Sequence, residues 1–477
     1  MAKENISLLI IFISLSSIFY PALSRRPSAT NITWWCSKTP HPEPCNYFLS
    51  RSHHRYTFKH RSDFRKIIVQ VAIEQAHKAH DQVMEFGTNC ENKHQKAAWS
   101  DCVKLYANTV LQLNRTLQGL KSDRSCTDFD AQTWLSTALT NIRTCQSGYM
   151  ELNVSDFITP VMSNNLSQLI SNSLAVNGVL LKRENVTYTN GFPSWLSGHE
   201  RNLLESSSLE ARANLVVATD GMRNTIITSG QSVGSGSTTY SSATAGIDGL
   251  HFMGRDITFQ NTAGPLKGQA VALRSASDLS VFYRCAFQGY QDTVMVHSQR
   301  QFYKKCYIYG TIDFIFGNAA VVFQNCIIFV RKPLKGQANV ITAQGRNDPF
   351  QNTAISIHSS RVLPANDLKP VVRNFKTYLG RPWQQYSRTV ILKTYIDGFV
   401  SPLGWSTWSP GNNFALDTLF YGEYENYGPG SSTRHRVKWR GFHVITSPKV
   451  ASQFTVGSLI AGRSWLPATG VPFILGL

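Results

Sequence analysis

The chain has 477 residues and is strongly basic: 47 Lys and Arg against 29 Asp and Glu leave a formal charge of +18 at pH 7. Such an excess draws polyanions. No groove-reading module is written in the chain, which argues against nucleic acid and points to another acidic polymer. Nine cysteines make an odd count, so at least one stays unpaired.

Lys3 precedes an apolar run from Ile6 to Tyr20, followed by Pro21-Ala22-Leu23-Ser24 and Arg25-Arg26. This is the pattern of a secretory signal peptide over residues 1–24, too short to be a membrane anchor and followed by small residues. A secreted, extracellular destination is expected, with no membrane span and with the cysteines mostly oxidised. Asn31, Asn114, Asn153, Asn165 and Asn185 each open an Asn-x-Ser/Thr acceptor for a glycan.

Residues 30–180 carry apolar residues at three- and four-residue spacing, as in Arg65–Ala72, Trp99–Leu113 and Trp134–Cys145, and predict an all-α unit. Residues 181–210 read as a linker rich in Asn, Ser and Gly. From residue 211 onward the pattern changes to short β-branched and aromatic runs. Cys285, Cys306 and Cys326 recur at spacings of 21 and 20, each closing such a run. A period near 20 with one strand-like run per repeat predicts an all-β solenoid, with residues one coil apart on neighbouring strands.

That period sets two carboxylates side by side. Asp292 lies in Tyr290-Gln291-Asp292-Thr293, and Asp313, 21 residues later, lies in Ile312-Asp313-Phe314-Ile315-Phe316. An ionised carboxylate among apolar neighbours is costly and its pKa rises. A second carboxylate drives the two values further apart, so one holds a proton while the other is charged. The competing reading makes Asp313 a turn cap and Asp292 part of a bend, but turn aspartates seldom sit inside an Ile/Phe run.

Six blocks carry a family resemblance in order: Gln260–Pro265, Gln269–Arg274, Tyr290–Thr293, Gly310–Asn318, Thr342–Arg346 and Tyr378–Trp383. Residues 256–477 resemble the catalytic domain of plant pectin methylesterases, which implies a right-handed parallel β-helix and hydrolysis of galacturonate methyl esters without metal or other cofactor. By this resemblance Asp313 is the nucleophile, Asp292 the acid and base, and Gln291 an oxyanion donor. Gln269 adds a second amide, Arg381 holds Asp313, Trp383 offers a flat face to a sugar ring, and Thr239 touches substrate. Taken singly, Gln269 and Gln291 also suit ladder amides, and Arg381-Pro382-Trp383 a packed turn.

Asp101–Tyr106 and Trp134–Thr140, ending at Cys145, resemble the pectin methylesterase inhibitor domain, a four-helix bundle with an N-terminal hairpin. The resemblance maps two disulfides to Cys36–Cys45 and Cys102–Cys145. Cys90 and Cys126 fall outside that pattern and are candidates for an extra bridge, and Cys306 and Cys326 are expected to be oxidised as well. The bundle either inhibits the attached enzyme or only aids folding. Arg201-Asn202-Leu203-Leu204 resembles the family's site for a processing protease, with Asn202 at the second basic position.

One departure stands out. Ala213–Gly221 resembles the start of the esterase domain but runs directly into Met222–Gly230, where the family has a few tens of residues building the first coils. Terminal coils cap a solenoid's apolar interior, so their loss is expected to expose core. Three readings follow: a secreted cell-wall esterase acting on methyl-esterified pectin, a β-helical glycosidase or lyase, or a non-catalytic wall protein that binds pectin or inhibits other esterases.

Overall fold

The structure, a computed structural model, describes residues 32–51, 60–121, 126–155, 165–181, 188–189, 192–193 and 215–477. The expected signal peptide, Asn31, Asn185 and the Arg201–Leu204 text lie outside the described residues.

The N-terminal unit is helical. A hairpin of α1 (Ile32–Cys36) and α2 (Pro42–Arg51) precedes four longer helices, α3 (Arg61–Phe86), α4 (Lys93–Lys121), α5 (Asp128–Glu151) and α6 (Leu166–Leu181). The four pack in a ring in which each touches the next and α6 returns to α3. Two disulfides pin the arrangement: Cys36–Cys45 closes the hairpin, and Cys102–Cys145 ties α4 to α5. Helix α5 begins with a capping box, Thr127 accepting from the Asp130 amide while Asp130 accepts from the Thr127 amide.

Cys90 and Cys126 are not bridged. They flank α4, whose 29 residues span about 43 Å at 1.5 Å each. The Cys126 sulfur lies against Gly119 near one end, while Cys90 sits by the Phe86 carbonyl at the other. A disulfide needs Cα atoms within about 7 Å, so the extra bridge is ruled out by helix length.

Residues 215–477 form a right-handed parallel β-helix of three sheets. Each coil contributes one strand per sheet, as with Arg300–Lys304, Tyr307–Gly310 and Ile315–Gly317. The turn from the first of these sheets to the second uses a left-handed residue in coil after coil, among them Arg284 (φ 52°), Lys305 (φ 54°), Asn325 (φ 54°) and Ser359 (φ 50°). Inside, identical positions stack on one another: Phe282 on Tyr303 at 4.7 Å, and Tyr303 on Phe323 at 4.5 Å. Each such ring buried is worth roughly 1.5–3 kcal/mol in removed apolar area.

The three sheets differ in what covers their outer faces. The seven-stranded sheet alternates buried and half-buried residues, as in Tyr307–Gly310, and faces water. The middle strands of the nine-stranded sheet are buried on both faces because the C-terminal segment, with Phe454, Ile460 and Leu466, packs on Val281, Phe302 and Val322. The six-stranded sheet sends Met295, Phe316 and Ala343 outward, in register on successive strands, and there the helical unit packs on them.

Cys285, Cys306 and Cys326 form one column in the interior, and all three are free thiols, contrary to the expectation for Cys306 and Cys326. Stacked residues on parallel strands point the same way with strands about 4.7–4.9 Å apart. A disulfide needs closer Cβ atoms and a twisted Cβ–S–S–Cβ path. The sulfurs instead donate to backbone carbonyls, Cys306 to Phe282 at 3.3 Å and Cys326 to Tyr303 at 3.5 Å.

The first described coil is complete. Leu215–Ala218, Ile226–Ser229 and Ala245–Ile247 pair in parallel with the three strands of the next coil. A turn at Gly221 (φ 129°), whose carbonyl accepts from the Asn224 and Thr225 amides, joins the first two strands. The end of this coil is apolar and open, with Leu215 56 %, Ile226 48 % and Ile227 39 % exposed.

Candidate active site

Asp292 and Asp313 each lie two residues before paired strands, since Val294 is in register with Ile315. The Asp292 amide donates to the Ile312 carbonyl at 3.0 Å, so the two carboxylates occupy equivalent places on adjacent coils. Both residues adopt left-handed backbone, φ 63° and 50°, unusual for residues with a Cβ. Both are nearly buried, Asp292 at 7 % and Asp313 at 5 % exposure.

Their environments then diverge. Arg381 forks onto Asp313: Nε donates to Oδ1 at 2.9 Å and Nη2 to Oδ2 at 2.6 Å. The guanidinium is itself held, with Nη1 donating to the Trp408 carbonyl at 3.2 Å and the Trp408 ring 4.4 Å from its centre. Burial raises the Asp313 pKa, and the Arg381 bonds oppose that rise. Burial raises Asp292 much further, reinforced by the charges of Asp313 and Glu151. Both carboxyl groups are thus raised, Asp292 further than Asp313, so the proton of the pair is held more firmly on Asp292.

Gln291, Gln269, Thr239 and Trp383 line one cavity of about 280 Å³ with the two carboxyl groups. Gln291 sits next to Asp292, whereas Gln269 is one residue out of step with the coil above, because Leu273 pairs with Val294. Among the described residues neither amide is bonded into a ladder, in contrast to Gln260, whose Nε2 donates to Gln288 at 3.1 Å. Trp383 meets Phe316 edge-on at 5.9 Å. Gly345 makes room for it, since a Cβ there would lie 2.7 Å from the indole.

All seven residues singled out from the sequence thus converge on one cavity. Trp408, Met295 and Phe316 were not singled out, although they complete its walls. The outward period of the six-stranded sheet would have found Met295 and Phe316. Trp408 lies in a loop with no local signal.

The opposite wall is supplied by the helical unit. The Thr239 amide donates to Glu151 Oε2 at 2.9 Å, and the Thr238 hydroxyl donates to Asp101. Along α5, Thr144 meets His297 Nε2 at 2.9 Å, and Thr140 accepts from Asn318 at 2.9 Å. Further along, Ser136 and Thr133 take both sides of the Asn352 amide, at 3.2 and 2.9 Å. Positions 133, 136, 140, 144, 148 and 151 share one helical face, so α5, about 36 Å long, lies along the cleft with that face down.

An ion-pair cluster anchors its N-terminal end. Arg300 bridges Asp130 of α5 at 2.6 Å and Asp278 of the solenoid at 2.8 Å, and Trp134 donates to Asp278 at 3.2 Å. Burial pushes the Asp278 carboxyl up, but the charge and hydrogen bonds of Arg300 bring it down to about 2.

Comparison with known proteins agrees with this architecture. Residues 205–463 match the family model described as Pectinesterase, and residues 30–176 match Plant invertase/pectin methylesterase inhibitor. The chain is 58 % identical to "Probable pectinesterase/pectinesterase inhibitor 33" of Arabidopsis thaliana, over 94 % of this chain and 86 % of that one. It is 49 % identical to "Pectinesterase 2" of Citrus sinensis, covering 99 % of each. That alignment runs over 521 positions against a chain of 477 residues, so at least 44 positions of the relative have no counterpart here. The solved pectin methylesterase from carrot is 57 % identical, with TM-score 0.55 over 56 % of this chain and 82 % of that one. The chain belongs to the pectinesterase family and carries an N-terminal domain of the plant invertase/pectin methylesterase inhibitor family.

Proposed function

We propose that this protein removes methyl esters from pectin with Asp313 as nucleophile and Asp292 as acid and base, and that its helical domain keeps the polymer out until displaced. The observation that carries the chemistry is the Arg381 fork on one of two stacked carboxyl groups. It leaves a charged nucleophile beside a protonated acid.

Asp313 Oδ attacks the ester carbonyl carbon. The bond to the methoxy oxygen breaks, and Asp292 gives that oxygen its proton, releasing methanol and leaving an anhydride on Asp313. Water then attacks the same carbon, Asp292 takes its proton back, and the bond to Asp313 breaks to release the acid. Gln291 and Gln269 are positioned to donate amide hydrogens to the oxyanion formed at each step.

The inhibitory role rests on Glu151, Asp101 and the α5 face, which occupy the cleft above the carboxyl pair. Secretion to the cell wall rests on the N-terminal pattern and the +18 charge. Asn153 and Asn165, both exposed, are the best-placed acceptors for glycans. Processing between the domains at Arg201–Leu204 rests on sequence resemblance alone.

The test is methanol release from highly methylated pectin by a chain opened at the domain contact. Ser136→Arg wedges against Asn352, and Ser171→Glu sets a like charge against Asp348, which Ser171 now meets at 2.6 Å. Methanol that disappears with Asp313→Ala supports the reading, and none from the folded opened protein overturns it.

A further inference from the structure

Asp292 and Asp313 hold left-handed backbone on neighbouring coils. A residue with a Cβ keeps that conformation only where its surroundings over-determine it. Part of what determines it here comes from a third coil. Tyr290, Thr311 and Arg331 each lie two residues past a paired strand position, Gln288 being in register with Tyr309 and Tyr309 with Phe329. The three therefore form one column. Tyr290 stands two residues before Asp292, and Thr311 two residues before Asp313.

Arg331 reaches past the coil of Thr311 to the coil that carries Asp292, across two strand spacings or roughly 9–10 Å. Its Nη1 donates to the Gly289 carbonyl at 3.0 Å and its Nη2 to the Tyr290 hydroxyl at 2.6 Å. The guanidinium lies 3.7 Å from the centre of the Tyr290 ring, and Asp367 accepts from its Nε at 3.4 Å. A planar fork makes these two bonds and the stack together, which the point charge of an ammonium cannot. Backbone bonds tie the same column: the Arg331 amide donates to the Gly310 carbonyl at 2.8 Å, and the Thr311 amide to the Tyr290 carbonyl at 2.8 Å. From the coil before, the Ala270 amide donates to the Gln291 carbonyl at 3.2 Å. The Gln291 side chain faces the cavity, so the backbone held on either side of it sets where its amide points.

We infer that Arg331 is a positioning residue of the esterase, holding the turn from Gly289 to Asp292 so that the Gln291 amide and the Asp292 carboxyl group meet the ester. This role rests on the esterase reading above and adds no step to it. It acts through geometry and not through charge. The charged groups that bear on Asp292 are Asp313, Glu151 and Arg381, and the one that bears on Asp313 is Arg381.

The test is methanol release from highly methylated pectin by the full chain carrying Ser136→Arg and Ser171→Glu, alone and with Arg331→Ala, Arg331→Lys or Tyr290→Phe. Arg331→Ala is expected to lower kcat about 10- to 100-fold, the loss that a misplacement of about 1 Å produces. KM should stay within about twofold, as it does when an interaction serves only the transition state. The acid limb of the pH profile should not move, in contrast to Arg381→Ala. Arg331→Lys keeps the charge without the fork and should still lose about tenfold, while Tyr290→Phe keeps the ring and should fall between Arg331→Lys and the parent. A kcat within about threefold of the parent in both Arg331 variants overturns the inference even if their unfolding midpoints drop, since Arg331 then only supports the fold. A loss carried by KM, or one that moves the acid limb, overturns it too, because Arg331 would then meet substrate or act by charge. Should Arg331→Ala fail to fold, Arg331→Lys and Tyr290→Phe decide by the same criteria. No methanol from any form, the parent included, removes the esterase reading and the inference together, whereas an active parent separates the two.

Discussion

Removing the Arg381 guanidinium tests the division of labour between the two carboxyl groups. In Arg381→Ala, Asp313 loses both arms of the fork and keeps its burial. Hydrogen bonds to charged groups are worth about 1.5–3 kcal/mol each, so the pair amounts to roughly 3–6 kcal/mol. Counting about 3 kcal/mol of this against the transition state gives a loss near 150-fold in kcat at 1.36 kcal/mol per decade. The pH profile must move as well. Burial already raises the Asp313 pKa, and Arg381 opposes that rise. Without it the value climbs, and since the nucleophile must be ionised, the acid limb shifts to higher pH and activity recovers in part above it. Arg381→Lys keeps the charge without the fork and is expected to lose about tenfold. The assay is methanol release from pectin across pH, in the opened background, with folding checked by circular dichroism. A loss under about fivefold with an unmoved acid limb would refute the assignment of Asp313 as the Arg381-held nucleophile.

Further outcomes are expected. Asp101 is buried and Glu151 half-buried at the domain contact, and desolvation raises the pKa of each, opposed by hydrogen bonds from Thr239 to Glu151 and from Thr238 to Asp101. The closed state therefore binds more protons than the open one; closure is favoured as pH falls and weakened as pH rises through these raised values. Hydrogen exchange of α5 should show this, and Glu151→Gln should flatten it. The denatured, unreduced protein should titrate five thiols, Cys90, Cys126, Cys285, Cys306 and Cys326; three would mean that a bridge exists among them. Phe282→Ala, in the stacked interior, should cost about 3–5 kcal/mol, read as a fall in denaturation midpoint. Leu215→Gln at the open end should stay within about 0.5 kcal/mol, because its side chain is already half in water.

The repeat period and the residue types carried much of the design. A spacing of 21 placed Asp292 and Asp313 on adjacent coils, because in-register parallel strands convert a sequence period into spatial contact. The gap after Gly221 was also visible in the text, and the exposed core expected from it is there in apolar Leu215 and Ile226; what the text did not show is that a turn closes the gap and leaves a whole coil. The cysteines misled for a geometric reason. Cys306 and Cys326 are neighbours, as their spacing says, but stacked side chains point in parallel and donate to carbonyls instead.

The sequence by itself determined the solenoid and the bundle and picked out the residues that line the cavity, since each follows from local periodicity or from motifs confined to one coil. Only the tertiary structure decided which carboxyl group Arg381 grips and what covers them both. Arg381 lies 68 residues from Asp313, and Glu151 lies 88 from Thr239. Such contacts depend on how two separately periodic units dock, and a polar face on α5 reads in sequence like any solvated helix face until the groove that receives it exists.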